Sequence, residues 1–319
     1  MKINLSLLIL VLLSFAACQN KNETKMTHIL KNENLEIQID LPMENYNFSR
    51  FDWTGKIVSL KYKGILVSTT EKMNDAAENS HGKGFYNEFG IEAPVGFDEA
   101  KEGEFFHKIG IGLLKKVGVN YCFNEEYEIE PAIFNVAAEE NKLIIECKSQ
   151  SVNAYSYILI KEIELLESSF VIKYSLLNTG EKTINTHEYC HNFLAINREL
   201  MGSDYILKFP FALDIGSFDA VVNPEDKVEI KRNEFSFNGT PEEEFFFSNL
   251  SGGKDVNAYW ELINTKNKIG ISETGSFKTN KINLWGWKHV ISPELFFDVN
   301  VKPGQSVEWS RTYNVFEID

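Results

Sequence analysis

Polar and apolar residues in this chain alternate with a period of two far more often than they follow a helical repeat. The runs "LEIQIDL", "GKIVSLKYKG", "KLIIECKS", "AYSYILIKEIELL", "FVIKYSLLN", "YILKFPF", "KVEIKR", "AYWELIN", "KIGISET" and "FFDVNVK" are alternating or β-branched, as half-buried strands are. They predict an all-β, antiparallel fold. Turn signals separate them: "ESS" at 167–169 and "NTGEK" at 178–182 each join two strands, and "KPGQS" at 302–306 precedes the last. That order reads as a long meander. No Pro-rich linker, low-complexity tract or repeat divides residues 31–319, which are read as one large sandwich domain. The longest weakly patterned stretch runs from Glu71 to Lys108. Its aromatics and glycines predict an ordered loop over a ligand site.

The first residues follow a different pattern. Lys2 precedes the apolar run "INLSLLILVLLSFAA" and then Cys18, so residues 1–17 read as a secretory signal. "SFAAC" resembles the lipobox of bacterial lipoproteins, which makes Cys18 the expected lipidation site. Residues 18–30 are polar and unpatterned, as suits a tether. The expected location is the cell envelope, with the membrane touched only through the lipid. Gln19 is not an acidic retention signal, which favours the outer membrane and leaves the periplasmic or cell-surface side open.

Composition narrows the partners. A chain with 43% hydrophobic and 13% aromatic residues can fill a large core. Its formal charge of −14 argues against nucleic acid and anionic lipid as partners and agrees with a neutral ligand. Without Cys18, the cysteines are Cys122, Cys147 and Cys190. An odd number excludes a disulfide framework. Cys122 and Cys147 could pair, but both lie in apolar, strand-like runs and are expected as buried free thiols.

Two stretches carry candidate chemistry. In "THEYCHNFLAIN", residues 186–197, strand alternation puts His187, Tyr189, His191 and Phe193 on one face and Glu188, Cys190, Asn192 and Leu194 on the other. One face is therefore polar and aromatic, as a ligand surface would be. His187 and His191 lie about 13 Å apart at roughly 3.3 Å per residue, too far to share a metal ion. No metal or cofactor is assigned. In "NLWGWKHVISPELFFDVNVKPG", residues 283–304, Trp285, Trp287 and His289 share a face. Such aromatics either stack on sugar rings or pack between sheets. Glu294 is either a turn residue facing water or a partly desolvated base.

The segments "NFSRFDWTGKIVSLKYKG", "GFYNEFGIEAPVGFDEA", "FHKIGIGLLKK", "EYCHNFLAI" and "SPELFFDVNVKPGQSVEW" occur in that order. Together they resemble the aldose 1-epimerase, or galactose mutarotase-like, superfamily, and most closely its "RFDW" branch. The resemblance implies a β-supersandwich that binds a monosaccharide or small carbohydrate. It also implies a histidine acting as acid at the ring oxygen and a glutamate acting as base at the anomeric hydroxyl. "CHNFLAI" matches the family's Asn-His-x-Tyr-Phe-Asn-Leu strand with His191 as the acid and Cys190 replacing Asn, whereas a shifted frame selects His187. Glu294 takes the glutamate's place by its distance from Gly304.

For a second, sugar-holding histidine, His107 is preferred to His81. Lys108, Arg50 and Asp52 are further hydrogen-bonding candidates, although Asp52 and Arg50 could instead pair with each other. Trp53 is expected in the core. Two other functions fit the same fold: a non-catalytic carbohydrate-binding lipoprotein, and a polysaccharide lyase or glycoside hydrolase. The latter lacks its helical domain here, and hydrolysis requires two carboxylates across one bond.

Overall fold

A computed structural model describes residues 27–73 and 80–319. The signal segment, Cys18 and most of the tether lie outside the described residues. Alternation builds the strands as the sequence pattern requires. In Tyr157–Leu165, for example, Tyr157, Leu159, Ile163 and Leu165 are buried while Ile160 faces solvent.

The strands form two ten-stranded antiparallel sheets and a small third one. The first sheet runs in the order Thr27–Lys31, Leu35–Asp40, Lys56–Tyr62, Phe85–Phe89, Ile184–Asn192, Val290–Val301, Ile282–Trp287, Phe245–Ser248 and Ala220–Val222, with Ile65–Leu66 beside Lys56–Tyr62. The second sheet has Val256–Asn264, Ile269–Thr279, Ser306–Glu317, Ser169–Asn178 and Tyr157–Leu165 at its centre. Phe105–Lys108, Gly112–Lys115 and Ile129–Pro131 form the third.

Three expectations change. Thr27–Lys31 pairs with Leu35–Asp40, so residues 27–30 belong to the sheet edge rather than to the tether. The simple meander fails as well: "NTGEK" and "KPGQS" each carry the chain from one sheet to the other, and the C-terminal Ser306–Glu317 lies beside Ser169–Asn178. Hairpins and crossovers use the same Asn, Gly and Pro chemistry, so turn residues alone do not distinguish them. Finally, Cys122 is exposed in a loop, while Cys147 and Cys190 are buried and all three are free.

Between the two large sheets lies one apolar core that includes Ile57, Leu159, Leu176, Cys190, Ile271, Leu284 and Leu295. A fully paired polar network crosses it. Arg311 donates to Glu188 at 2.6 Å and to Glu273 at 2.5 Å. The indoles of Trp309 and Trp260 donate to the same two carboxylates, and Asn192 links Glu273 to Tyr313. These contacts tie Ile184–Asn192 in the first sheet to Ser306–Glu317 and Ile269–Thr279 in the second. Every charge in the network has an opposite partner, as burial at this depth requires.

Candidate functional site

Three adjacent strands supply the floor of the site. In Ile184–Asn192, Val290–Val301 and Ile282–Trp287, one parity places Cys190, Leu295 and Leu284 in the core. The other parity places Tyr189, His191, Glu294, Phe296, Asn283 and Trp285 along a cavity of ≈ 610 Å³. Tyr189 is paired with Phe296, Asn283 with Glu294, and Trp285 with Ser292. Continuing the first register by two residues puts His191 opposite Glu294. Tyr46, Phe48, Ser49, Arg50, Glu71, Lys72, Ser80, His81, Ile91, Glu92 and Phe123–Glu125 contribute to the walls. Of the Glu71–Lys108 stretch, expected as a loop, Glu71, Lys72, Ser80, His81, Ile91 and Glu92 line the cavity, while Phe85–Phe89 and Phe105–Lys108 are strands and residues 74–79 lie outside the described residues.

His191 Nε2 lies 3.3 Å from Glu294 Oε1. The two groups are side by side rather than facing each other across a sugar-wide gap, because they are cross-strand neighbours on one sheet face. Both are almost wholly buried. Ser292 Oγ is 2.7 Å from His191 Nδ1 and 3.5 Å from Glu294 Oε1. Phe193 stacks on the His191 ring with centroids 4.2 Å apart, and Trp285 meets its edge at 5.3 Å. In these surroundings burial pushes the Glu294 carboxyl up to about 8, against the nearby positive charge of Arg50. Burial, reinforced by Arg50, holds the His191 imidazole well below its ordinary value. Near neutral pH the Glu294 carboxyl therefore keeps its proton beside an uncharged imidazole.

Arg50 fixes the adjoining wall. Its guanidinium donates to Glu88 at 3.1 Å and to Glu71 at 3.0 Å, and it lies 4.5 Å from the centre of the Phe51 ring and 4.6 Å from that of Phe123. Glu88 also accepts from Tyr189 at 2.7 Å and from Lys108 at 3.0 Å. Arg50 and Lys108 thus reach one carboxylate from two sides, and Lys108 stands behind the wall instead of lining the cavity. Asp52 does not pair with Arg50. It turns inward from the turn before Lys56–Tyr62 and accepts from Thr54 and Lys161, and Trp53 is buried as expected.

The other predicted residues divide. His81 lines the cavity and His107 does not: His107 is buried elsewhere, where its ring donates to the Val152 carbonyl and packs near Tyr155 and Tyr157. His187 shares the face of His191 as alternation requires, but it lies behind Phe296, 5.5 Å between ring centres, and does not line the cavity. Trp287 is likewise outside, donating to the Glu242 carbonyl at 2.7 Å with Lys72 over its ring. Ser292, Asn283, Glu71 and Glu88 were not singled out from sequence. Ser292 shares the parity of Glu294, and Glu88 sits in "FYNEF", so alternation held a signal for both once the pairing of these strands was known. Among the described residues, no group of three or more His, Cys, Asp and Glu side chains is arranged to hold a metal ion.

This architecture is the galactose mutarotase-like fold. A putative aldose 1-epimerase from Escherichia coli K12 superposes with a TM-score of 0.58 at 9% identity, over 92% of this chain and 99% of that one. A galactose mutarotase related enzyme from Lactobacillus acidophilus gives 0.56 at 10% identity, over 92% and 100%. A galactose mutarotase-like protein from Clostridium acetobutylicum gives 0.54 at 14%, over 91% and 95%. No protein-family model and no curated protein matches the sequence.

Proposed function

We propose that this protein is an aldose 1-epimerase-like isomerase, interconverting the anomers of a free neutral aldose by acid–base ring opening and closure. The observation that carries this reading is the contact between His191 and Glu294 inside the cavity. The ring oxygen and the anomeric hydroxyl oxygen are bonded to the same carbon, so an acid and a base that serve them belong side by side. One partner of the pair gives its proton to the ring oxygen as the bond from that oxygen to C1 breaks. The other takes the hydroxyl proton as the C1 carbonyl forms. Rotation about C1–C2 exposes the opposite face, and closure reverses both transfers. Each group alternates between acid and base, which suits a pair whose burial brings the carboxyl to about 8. Trp285, beside the pair, offers an apolar surface for a sugar ring.

Charge supports a neutral substrate. Arg50 and Lys72 are the lysine and arginine side chains among the cavity's described lining. Arg50 is committed to Glu71 and Glu88, and Lys72 to Glu244 at 2.7 Å. Neither is left to hold a phosphate or a sugar acid. Cys190 stands where the resembling strand has Asn, a departure that would favour the non-catalytic alternative if it fell in the cavity. Cys190 turns into the core, away from the cavity. The lipobox-like "SFAAC" places the enzyme, on this reading, at the cell envelope on a Cys18 lipid anchor.

Exchange NMR on a panel of free aldoses tests the proposal. The mature protein should accelerate α/β exchange of at least one of them. Sugar binding without acceleration across the panel would replace the enzyme with a carbohydrate-binding protein.

A further inference from the structure

Ser292 is fully buried beneath the His191–Glu294 pair, and its hydroxyl has more neighbours than a packing role needs. A serine hydroxyl carries one proton and two acceptor sites. The backbone N–H of Asn192 donates into Oγ at 3.0 Å and fills one acceptor site. That leaves one acceptor site and one proton for His191 Nδ1 at 2.7 Å and Glu294 Oε1 at 3.5 Å.

One arrangement uses all three capacities: Nδ1–H donates to Oγ, and the serine proton points to Glu294. The reverse arrangement sends the serine proton to Nδ1. It leaves an acceptor site of Oγ empty and strips Glu294 of a donor. It also leaves the Glu294 carboxyl, which burial keeps protonated near neutral pH, facing an Nε2–H instead of an unprotonated nitrogen able to accept its proton. Because His191 is held neutral by the same burial, its ring carries one N–H, and the nitrogen that holds it decides which atom can take part in proton transfer.

We propose that Ser292 is a positioning residue that holds His191 in the Nδ1–H tautomer, leaving Nε2 as the ring atom that exchanges a proton with Glu294 and with a bound sugar. The tautomer follows from the hydrogen-bond geometry around a neutral, buried imidazole, and its effect on rate rests on the isomerase reading above. The proton then moves along one line. Nε2 takes it from the carboxyl or from a sugar oxygen and returns it, while Nδ1–H stays on the serine and keeps the ring plane fixed against Phe193. Removing the hydroxyl leaves Nδ1 without its acceptor, and the ring is free to carry its proton on Nε2, where it blocks the exchange.

The test is long-range 1H–15N correlation on histidine-labelled mature protein, combined with anomer exchange on the aldose panel. In the wild type, His191 should show a protonated Nδ1 and an unprotonated Nε2. Ser292→Ala should shift it toward Nε2–H and lower kcat about 10²-fold with little change in KM, the lower end of what a positioned acid–base group contributes. Ser292→Thr, which keeps the hydroxyl, should restore both the tautomer and most of the rate. Ser292→Cys preserves the volume with a weaker partner and should fall between them; it also covers an alanine variant that fails to fold. A wild-type His191 protonated on Nε2, or a folded Ala or Cys variant with an unchanged tautomer, overturns the proposal. If the wild type exchanges no aldose, the isomerase reading fails, and the NMR spectrum still decides the tautomer.

Discussion

His191 and Glu294 meet at 3.3 Å because two neighbouring strands of one sheet, brought together from positions about a hundred residues apart, place them as a cross-strand pair. No loop movement is needed to assemble them. Their burial keeps the carboxyl protonated and the imidazole uncharged near neutral pH.

That proton fixes a pH dependence. The folded Glu294 carboxyl titrates at about 8, against an ordinary 4.5, so between these values the native state keeps a proton that the unfolded chain has lost. Its contribution to stability is complete below 4.5 and is lost as pH rises toward 8. Denaturant unfolding should show the wild type losing ground to Glu294→Gln across that window and staying level above it. Activity has the same upper limit: once the carboxyl loses its proton, above about 8, kcat/KM should fall.

The network between the sheets gives a second expectation. Arg311 is fully buried between Glu188 and Glu273. Arg311→Leu leaves two carboxylates in the interior without their cation and should cost roughly 3–5 kcal/mol in urea or guanidinium unfolding. A loss below about 1 kcal/mol would mean that the network contributes little to holding the sheets together.

The two tryptophans of "NLWGW" separate by position. Trp285 lines the cavity at the edge of His191, whereas Trp287 hydrogen-bonds to Glu242 outside it. Trp285→Ala should weaken sugar binding by about 0.5–1.5 kcal/mol, typical of a lost aromatic contact. Trp287→Ala should leave binding within a few tenths of wild type. Sugar titrations by calorimetry or NMR line broadening compare the two directly.

The same residues show how far the sequence could be read. Period-two alternation fixed the parity of Tyr189 and His191 and the inward turn of Cys190, because that property is local to one strand. The family-like segments pointed to Glu294. What alternation could not supply was pairing: whether His191 and Glu294 flank a sugar or touch each other depends on which strands are neighbours and in which register. The same gap left Ser292 unnoticed and sent the choice of second histidine to His107, whose strand belongs to the small third sheet, when His81 is the one at the cavity. Turn chemistry likewise could not tell a hairpin from a passage between sheets.

The most direct test of the account is the anomer exchange rate of a responsive aldose with wild type, His191→Ala, Glu294→Gln and the double variant. If the pair works as one unit, each single change should slow exchange by about 10²–10⁴-fold, and the double variant should be scarcely slower than either. Exchange in folded single variants at the wild-type rate, or wild-type exchange no faster than buffer alone across the panel, would contradict it.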